Sequence, residues 1–291
     1  MNCDLCPRRC PVDRYSNEIG YCGAGNRIKI ARNALHYWEE PPISGTRGSG
    51  AVFFTYCNLR CVFCQNYEIS KNHVGRYIDI NELSDIFIDL QNQGAHNINL
   101  VTPTHYSDLL IKALEMAKIN GLKIPVVYNC GGYESVEALK RLDGLVDIYL
   151  PDMKYYNDKY AIRYSKAKEY FKYCSMAISE MFKQTGKNIF DSKGIMQKGV
   201  IVRHLMLPGL LFDSKKIIDY LYKTYGDDIY ISIMRQYTPM PHLEGFEELN
   251  RTIIQKYYES LIEYASELGI KNAFVQSGEA IGESFIPFFS D

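Results

Sequence analysis

The chain has 291 residues, of which 46% are hydrophobic and 23% charged, and its formal net charge is −1. These proportions are ordinary for a globular protein, and a near-neutral charge without a dense Lys/Arg run argues against nucleic-acid binding. No apolar run reaches the roughly 18 residues of a membrane span, and the first ten residues lack the apolar core of a signal peptide. We therefore predict a cytoplasmic protein with no membrane or nucleic-acid partner. Its length suits one (β/α) barrel with a small appendage.

Cysteine usage is unusual. Seven of the nine cysteines lie within the first 64 residues, and only Cys130 and Cys174 lie beyond. The odd total and the clustering disfavour a disulfide framework and favour metal ligation in a reducing compartment.

The first 26 residues combine four cysteines with turn-forming residues. Cys3, Cys6, Cys10 and Cys22 are spaced C-x2-C-x3-C-x11-C among prolines and glycines that interrupt regular elements. A segment this short buries too little apolar surface to fold alone, and a bound metal would supply the missing stability. We predict a second metal site here, which would hold zinc, a rubredoxin-like iron or a second iron–sulfur cluster. The alternative is a loosely ordered, reduced tail.

A boundary between this segment and the main domain is expected near residue 45. Arg27–Ala31 alternates polar and apolar residues, which predicts a short strand, and Gly45–Gly50 is predicted as a flexible connector. We therefore assign residues 1–45 to a Cys-rich metal-binding extension and residues 46–291 to a barrel domain.

Three further cysteines follow the apolar run that begins at Gly50. Cys57, Cys61 and Cys64 have the spacing C-x3-C-x2-C. Iron–sulfur cubanes are normally held by four cysteines, so three local thiolates would leave one iron open. An open coordination position is typical of a catalytic metal site.

This spacing, with Phe63 just before the last cysteine, resembles the signature of radical S-adenosylmethionine enzymes. The segment Glu40–Gly50 (EPPISGTRGSG) and the FFTYCNLRCVFCQN that follows it are similar to proteins related to pyruvate formate-lyase activating enzyme. The resemblance implies that Cys57, Cys61 and Cys64 hold a [4Fe-4S] cluster whose open iron binds S-adenosylmethionine. It further implies that reductive cleavage gives a 5′-deoxyadenosyl radical, with electrons from a flavodoxin- or ferredoxin-type donor. The implied fold is α/β, a partial (β/α)6 TIM-like barrel.

The remaining pattern alternates strands and helices. The predicted strands are Val52–Tyr56, Ile98–Val101, Pro125–Asn129, Asp147–Leu150, Val200–Leu207, Tyr230–Arg235 and Ala273–Gln276. The predicted helices are Asn81–Gln93 (with an Asn cap), Tyr106–Asn120, Glu134–Leu142, Asp158–Lys187 and, as the longest, Glu248–Leu268. Such alternation predicts a parallel sheet with right-handed crossovers, which periodicity alone does not distinguish from a doubly wound sheet.

Functional side chains of such barrels lie at the carboxyl ends of the strands. After the second strand, the family has a GGE-like motif that contacts the amino group of S-adenosylmethionine. This chain has TPTH there, so we expect Thr102, Thr104 or backbone carbonyls to replace it. After the third strand, Asn129 is a candidate partner of a ribose or carboxylate. Cys130 is the catalytic candidate, with an unreactive buried thiol as the alternative.

The later strand ends carry charged candidates. Asp152 and Lys154 point to the same side of an extended segment, and a D-x-K segment in the family contacts the ribose hydroxyls and the carboxylate of S-adenosylmethionine. The alternative is a surface ion pair. Arg203 has the fork that suits a carboxylate. The other residues considered are His204 (core or proton carrier), Gln236 and Tyr237 (substrate contacts) and Glu279 (C-terminal surface).

Two classes of function follow. The first is a hydrogen-abstracting enzyme acting on a backbone glycine of a partner enzyme, as a glycyl-radical activase, or on a peptide or small molecule. The second is a non-catalytic zinc or iron–sulfur scaffold or electron carrier, in which the three clustered thiols join the N-terminal ones.

Overall fold

A computed structural model describes residues 3–241 and 243–276, so that Glu279 lies outside the described residues. Its ten strands form one sheet in the order β10-β9-β8-β6-β5-β4-β2-β1-β3, with β7 paired to β8. The strands are β1 (Ile28–His36), β2 (Ser49–Phe54), β3 (Arg76–Ile78), β4 (Ile98–Val101), β5 (Val126–Cys130), β6 (Ile148–Pro151), β7 (Ile189–Phe190), β8 (Met196–Leu205), β9 (Tyr230–Met234) and β10 (Ala273–Val275).

The run from β2 to β10 is parallel throughout, apart from the short β7. Because β10 and β3 are the two edges of the sheet that the described residues form, that sheet does not close. Six strand–helix units followed by a final strand confirm the predicted partial barrel.

The helices pack around this sheet. They are α1 (Pro41–Ser44), α2 (Tyr67–Ser70), α3 (Ile80–Asn92), α4 (Ser107–Ile119), α5 (Val136–Lys140), α6 (Asp158–Ser165), α7 (Tyr170–Thr185), α8 (Leu211–Tyr225) and α9 (Gln255–Glu267). None of them, within the described ranges, has the length and apolarity to cross a membrane.

Three helix predictions need correction. The cap of α3 is Asp79, which accepts from the Glu82 N–H, and not Asn81. The single helix across Asp158–Lys187 is wrong, because Lys166 and Glu169 both have left-handed φ values of 52° that separate α6 from α7. The longest helix is α7 with 16 residues, whereas α9 has 13.

The N-terminal segment is joined to the barrel more closely than expected. β1 has nine residues, not the five of Arg27–Ala31, and pairs antiparallel with β2 from Ile30↔Phe54 to His36↔Ser49. The predicted flexible connector is a packed turn. A Cβ on Gly45 would lie 2.7 Å from His96 Nε2, and Ser49 already belongs to β2.

Candidate functional site

A cavity of about 580 Å³ opens at the carboxyl ends of the parallel strands. We call it the cleft. Its wall comes from the residues after β2, β4, β5 and β6, from β8, β9 and β10, and from the segment between β1 and α1. Because parallel strands present their carboxyl ends at one edge, residues far apart in the chain meet here.

Cys57, Cys61 and Cys64 all line the cleft. Each sulfur has a hydrogen-bond donor: Leu59 N–H at 3.4 Å from Cys57, Ser165 Oγ at 2.9 Å from Cys61, and Ser70 Oγ at 3.3 Å from Cys64. Burial, together with the neighbouring Cys61 and Cys64, raises the pKa of the Cys57 thiol to about 12. The three thiols are thus close enough to oppose one another's ionisation, which a bound cation would relieve.

The arrangement fits a cluster better than a single ion. Among the described residues, no three Cys, His, Asp or Glu side chains converge as one metal ion requires. In a cubane each cysteine ligates a different iron, so the sulfurs surround the cluster and need not meet at a point. Three thiols on one wall of an open cavity match that requirement.

The predicted polar residues meet on the wall of the same cleft. Arg203 Nε lies 2.8 Å from Asp152 Oδ1, and its Nη2 lies 2.6 Å from Asn129 Oδ1. Lys154 Nζ lies 2.6 Å from Asp152 Oδ2. The structure therefore brings Asn129, Asp152, Lys154 and Arg203 into one hydrogen-bonded group, all of them on the cleft wall.

Neighbouring charges keep Asp152 and Lys154 of this group ionised. Burial works against the Asp152 carboxylate, but Arg203 and Lys154 outweigh it and hold its pKa below the ordinary value. Burial also opposes the charge on Lys154, yet Asp152 and Cys61 raise the pKa of that ammonium. These side chains are only 14–21% exposed, so the surface ion pair considered for Asp152 and Lys154 is not what the structure shows.

The two candidate threonines have different positions relative to the cleft. Thr102 lines the cleft with a left-handed φ of 60°, and its N–H donates to Asn129 O at 2.8 Å. Such a φ costs about 1 kcal/mol or more for a residue with a Cβ, and strained backbone of this kind often accompanies function. Thr104 does not line the cleft; it is buried and donates to Glu134 Oε1 at 2.8 Å.

Cys130 and the other candidates have different surroundings. Cys130 lines the cleft but is 2% exposed, and burial together with Glu134 raises its pKa well above the ordinary value. His204 lies in the core, where its Nδ1 is 2.8 Å from Met153 O and burial lowers its pKa to about 4. Gln236 lines the cleft, whereas Tyr237 is buried and donates to Leu249 O.

The sequence reasoning missed Glu39 and Glu40. Both line the cleft although they belong to the predicted extension. Glu39 Oε1 accepts from Asn99 and Asn129, and Oε2 lies 3.1 Å from Arg203 Nη1. The signal available was the pair of acidic residues directly before Pro41-Pro42, at the start of the motif that carries the resemblance.

The N-terminal thiols form a separate group. Cys10 Sγ accepts from Tyr21 N–H at 3.3 Å, and Arg14 Nη1 lies 3.7 Å from Cys22 Sγ. Burial, with smaller contributions from Glu134, Cys22 and Cys3, raises the pKa of Cys6 to about 12. Within the described residues these thiols do not converge on one point either. The second metal site stays a prediction.

Arg8 connects this group to the loop that carries the clustered cysteines. Its guanidinium donates to the carbonyls of Asn58, Lys166 and Ser165 and lies 3.5 Å from the centre of the Tyr21 ring. The N-terminal segment is therefore fixed against the loop between Cys57 and Cys61.

The chain resembles one curated protein in sequence and several solved structures in fold. The uncharacterized protein MJ0674 of Methanocaldococcus jannaschii is 32% identical over 283 residues, covering 92% of this chain and 75% of its own. SuiB of Streptococcus suis bound to S-adenosylmethionine has a TM-score of 0.52 at 13% identity, over 77% of this chain and 48% of its own. HydG, a maturase of the [FeFe]-hydrogenase, has a TM-score of 0.54 at 15% identity, over 81% of this chain and 53% of its own.

These likenesses differ in what they establish. The chain spans about half the length of the SuiB and HydG chains, and at such identities they show the fold alone. The family model of the radical SAM superfamily matches residues 51–221, more than half of the chain. That match includes the three clustered cysteines and most of the parallel strands. The chain therefore belongs to the radical SAM superfamily, whose members use a [4Fe-4S] cluster and S-adenosylmethionine.

Proposed function

We propose that this protein is a radical S-adenosylmethionine enzyme in which Cys57, Cys61 and Cys64 ligate the cluster and the cleft binds the substrate. When bound, the cluster and S-adenosylmethionine supply a one-electron reductive cleavage that yields a hydrogen-abstracting radical. The observation that carries the proposal is the shared cleft. The three thiols and the group formed by Asn129, Asp152, Lys154 and Arg203 face the same 580 Å³ space.

The residues around that space have distinct roles in the proposal. Asp152 and Asn129 offer acceptors and donors to ribose hydroxyls. Lys154 and Arg203 offer positive charge to a carboxylate, and the Arg203 fork suits a planar anion. Thr102, held in its strained turn, presents backbone groups where the family has a GGE-like motif. Thr104 lies away from the cleft and supports this turn indirectly through Glu134.

The substrate is proposed from the resemblance. A backbone glycine of a partner enzyme is the first candidate, because Glu40–Gly50 and the cysteine segment are similar to proteins related to pyruvate formate-lyase activating enzyme. A peptide or small molecule is the second candidate. SuiB, which shares the fold, has also been seen bound to its precursor peptide SuiA, with a TM-score of 0.51 at 13% identity.

A flavodoxin- or ferredoxin-type protein is proposed as the electron donor. A reducing cytoplasm belongs to the same proposal, because thiolates that ligate iron must stay reduced. The different class of function, a zinc scaffold or electron carrier, predicts zinc as the principal metal and no cleavage of S-adenosylmethionine.

The test is the formation of 5′-deoxyadenosine by protein that is reconstituted without oxygen and reduced with dithionite. We expect the wild type to form it, and Cys57→Ala, Cys61→Ala and Cys64→Ala to fall to the background without protein. Cys174→Ala is the matched control, because that thiol is a buried group of α7 and does not line the cleft. Activity that survives in the three variants, or zinc as the only metal, would overturn the proposal.

A further inference from the structure

Glu40 is a buried carboxyl group beside the cleft, and one of its oxygens has no partner. The residue is 9% exposed and lines the cavity, and its Oε2, which is buried beneath the cavity surface, has no hydrogen-bond partner among the described residues. Burial and the neighbouring Glu39 raise its pKa, and Arg203 and a hydrogen bond from Ser232 offset this only in part. A buried acceptor without a donor is costly and calls for an explanation.

The cations nearby are already engaged. Arg203 directs its three nitrogens to Asp152, Glu39 and Asn129. Lys154 is paired with Asp152. Of the described residues lining the cleft, only Glu39, Glu40, Asp152, Lys154 and Arg203 are charged at neutral pH in their ordinary forms. Asp152 and Glu39 balance the two cations, so Glu40 is the carboxylate left over.

From this imbalance we infer that Glu40 binds a cationic group of the substrate, such as the ammonium of an amine or of a lysine side chain. This inference rests on the proposed function, because it assigns a chemical class to the substrate of that same cleft. An arriving ammonium would supply the donor that Oε2 lacks, once the carboxyl group turns towards the cleft, and would favour the ionised form of Glu40. A neutral group of the same shape would leave the carboxylate buried and unpaired.

S-adenosylmethionine also carries an ammonium, but the position of Glu40 favours the substrate. Lys154 borders the loop of the clustered cysteines, because a Cβ built on Gly131 would lie 2.5 Å from Leu59 Cδ1 on that loop and 4.0 Å from Lys154 Cε. The groups that act on Glu40 are Arg203 on β8, Ser232 on β9 and Glu39 in the same N-terminal segment. If Cys57, Cys61 and Cys64 held the cluster, as the resemblance implies, its open iron would take the amino and carboxylate groups of S-adenosylmethionine at the thiol end.

The chain offers a built-in reporter for the test, because its single tryptophan, Trp38, lines the cleft. Tryptophan fluorescence is titrated with n-butylammonium and with 1-butanol, in cluster-loaded protein saturated with S-adenosylmethionine. We expect the wild type to bind the ammonium at least about tenfold more tightly than the alcohol, as a hydrogen bond to a charged group implies. Glu40→Gln should abolish that preference, and Glu137→Gln, a change of an exposed carboxylate on α5, should retain it.

Three results would overturn the inference: no preference for the ammonium in the wild type, a preference that survives in Glu40→Gln, or competition between the ammonium and S-adenosylmethionine. The last would assign the carboxylate to the cofactor. A thermal midpoint of Glu40→Gln close to the wild type verifies that the variant is folded. Binding is measured independently of 5′-deoxyadenosine formation, so failure here is distinguishable from failure of the proposed function.

Discussion

Glu39 Oε2 lies 3.1 Å from Arg203 Nη1, although 164 residues separate the two in the chain. The glutamate comes from the segment after β1 and the arginine from the carboxyl-terminal part of β8. Their side chains are only 9% and 14% exposed. The N-terminal segment therefore completes the charged wall of the cleft and is more than an appendage.

Glu39→Ala should be strongly destabilising, because it leaves part of the Arg203 charge buried without its partner. We expect the free energy of unfolding to fall by about 3 kcal/mol, as is usual when one member of a buried pair is removed. Chemical denaturation measures this directly.

The matched control is Glu248→Ala, which breaks the Arg163–Glu248 pair on the surface. Those side chains are 47% and 35% exposed and their closest atoms are 2.6 Å apart. Exposed pairs contribute at most about 1 kcal/mol. Equal losses in the two variants would contradict the assignment of Glu39 to a buried network.

The contrast between Asp152 and Glu39 indicates what the sequence can predict. Asp152 follows a buried strand of a parallel sheet, so its place at the catalytic edge follows from local pattern alone. The register that sets Asp152 beside Arg203 is a long-range property that the pattern does not specify. Glu39 was missed because it reaches the cleft from outside the strand–helix repeat, from the segment between β1 and α1.

The same limit explains the errors in the elements. Ile98–Val101 was predicted with its observed bounds because a buried parallel strand is a short apolar run. The break between α6 and α7 was missed because the non-glycine residues Lys166 and Glu169 adopt left-handed φ values there. Composition does not predict such values.

Gly132 is expected to control the placement of Asp152. Its φ is +76°, and a Cβ at this position would lie 2.2 Å from the Asp152 carbonyl oxygen and 2.7 Å from Cys174 Sγ. Gly132→Ala must therefore push the end of β5 away from the end of β6. We expect a loss of stability of about 3 kcal/mol from strain and overpacking together, and a loss of 5′-deoxyadenosine formation.

Gly144→Ala separates the two causes. Gly144 has a φ of +77°, but nothing lies within 4 Å of a Cβ built on it. Gly144→Ala should lower the free energy of unfolding only by the backbone strain, about 1 kcal/mol, and leave the cleft intact. Thermal unfolding and the cleavage assay, measured on both variants, compare Gly132→Ala with Gly144→Ala. Similar behaviour of both variants would mean that the contact with Asp152 does not constrain the cleft.

Arg8 should protect the proposed cluster without touching it. Its guanidinium donates hydrogen bonds to the carbonyl of Asn58, which lies between Cys57 and Cys61, and to the carbonyls of Ser165 and Lys166. A lysine cannot reproduce this fork of donors. Both Arg8→Ala and Arg8→Lys should therefore lose cluster absorbance in air several-fold faster than the wild type.

The adjacent Arg9 provides the comparison. It is exposed and lies 3.6 Å from Glu137, which is also exposed. Arg9→Ala removes the same charge from the same segment, and we expect the wild-type decay rate. If Arg9→Ala accelerated the decay as much as Arg8→Ala, the effect would come from net charge rather than from the anchored loop.

Glu134 should make the stability of the fold depend on pH. It is 2% exposed, and its carboxyl accepts from Thr104 Oγ1 at 2.8 Å and from Tyr128 OH at 3.1 Å. Burial raises its pKa from 4.5 to about 7, although these hydrogen bonds favour the ionised form. Between pH 4.5 and 7 the folded chain therefore holds a proton that the unfolded chain releases.

The stability that Glu134 contributes is present below pH 4.5 and is lost as the pH rises through about 7. We expect the wild type to lose on the order of 3 kcal/mol relative to Glu134→Gln over this range. The glutamine keeps an acceptor for Thr104, and the Tyr128 hydroxyl can turn to accept from the new amide. The buried histidines His105 and His204, whose pKa values burial lowers, are common to both proteins and cancel in the comparison. Denaturation curves at pH 5 and pH 8 measure the difference, and a wild type that gained stability relative to the variant with rising pH would show that the carboxyl is ionised in the fold.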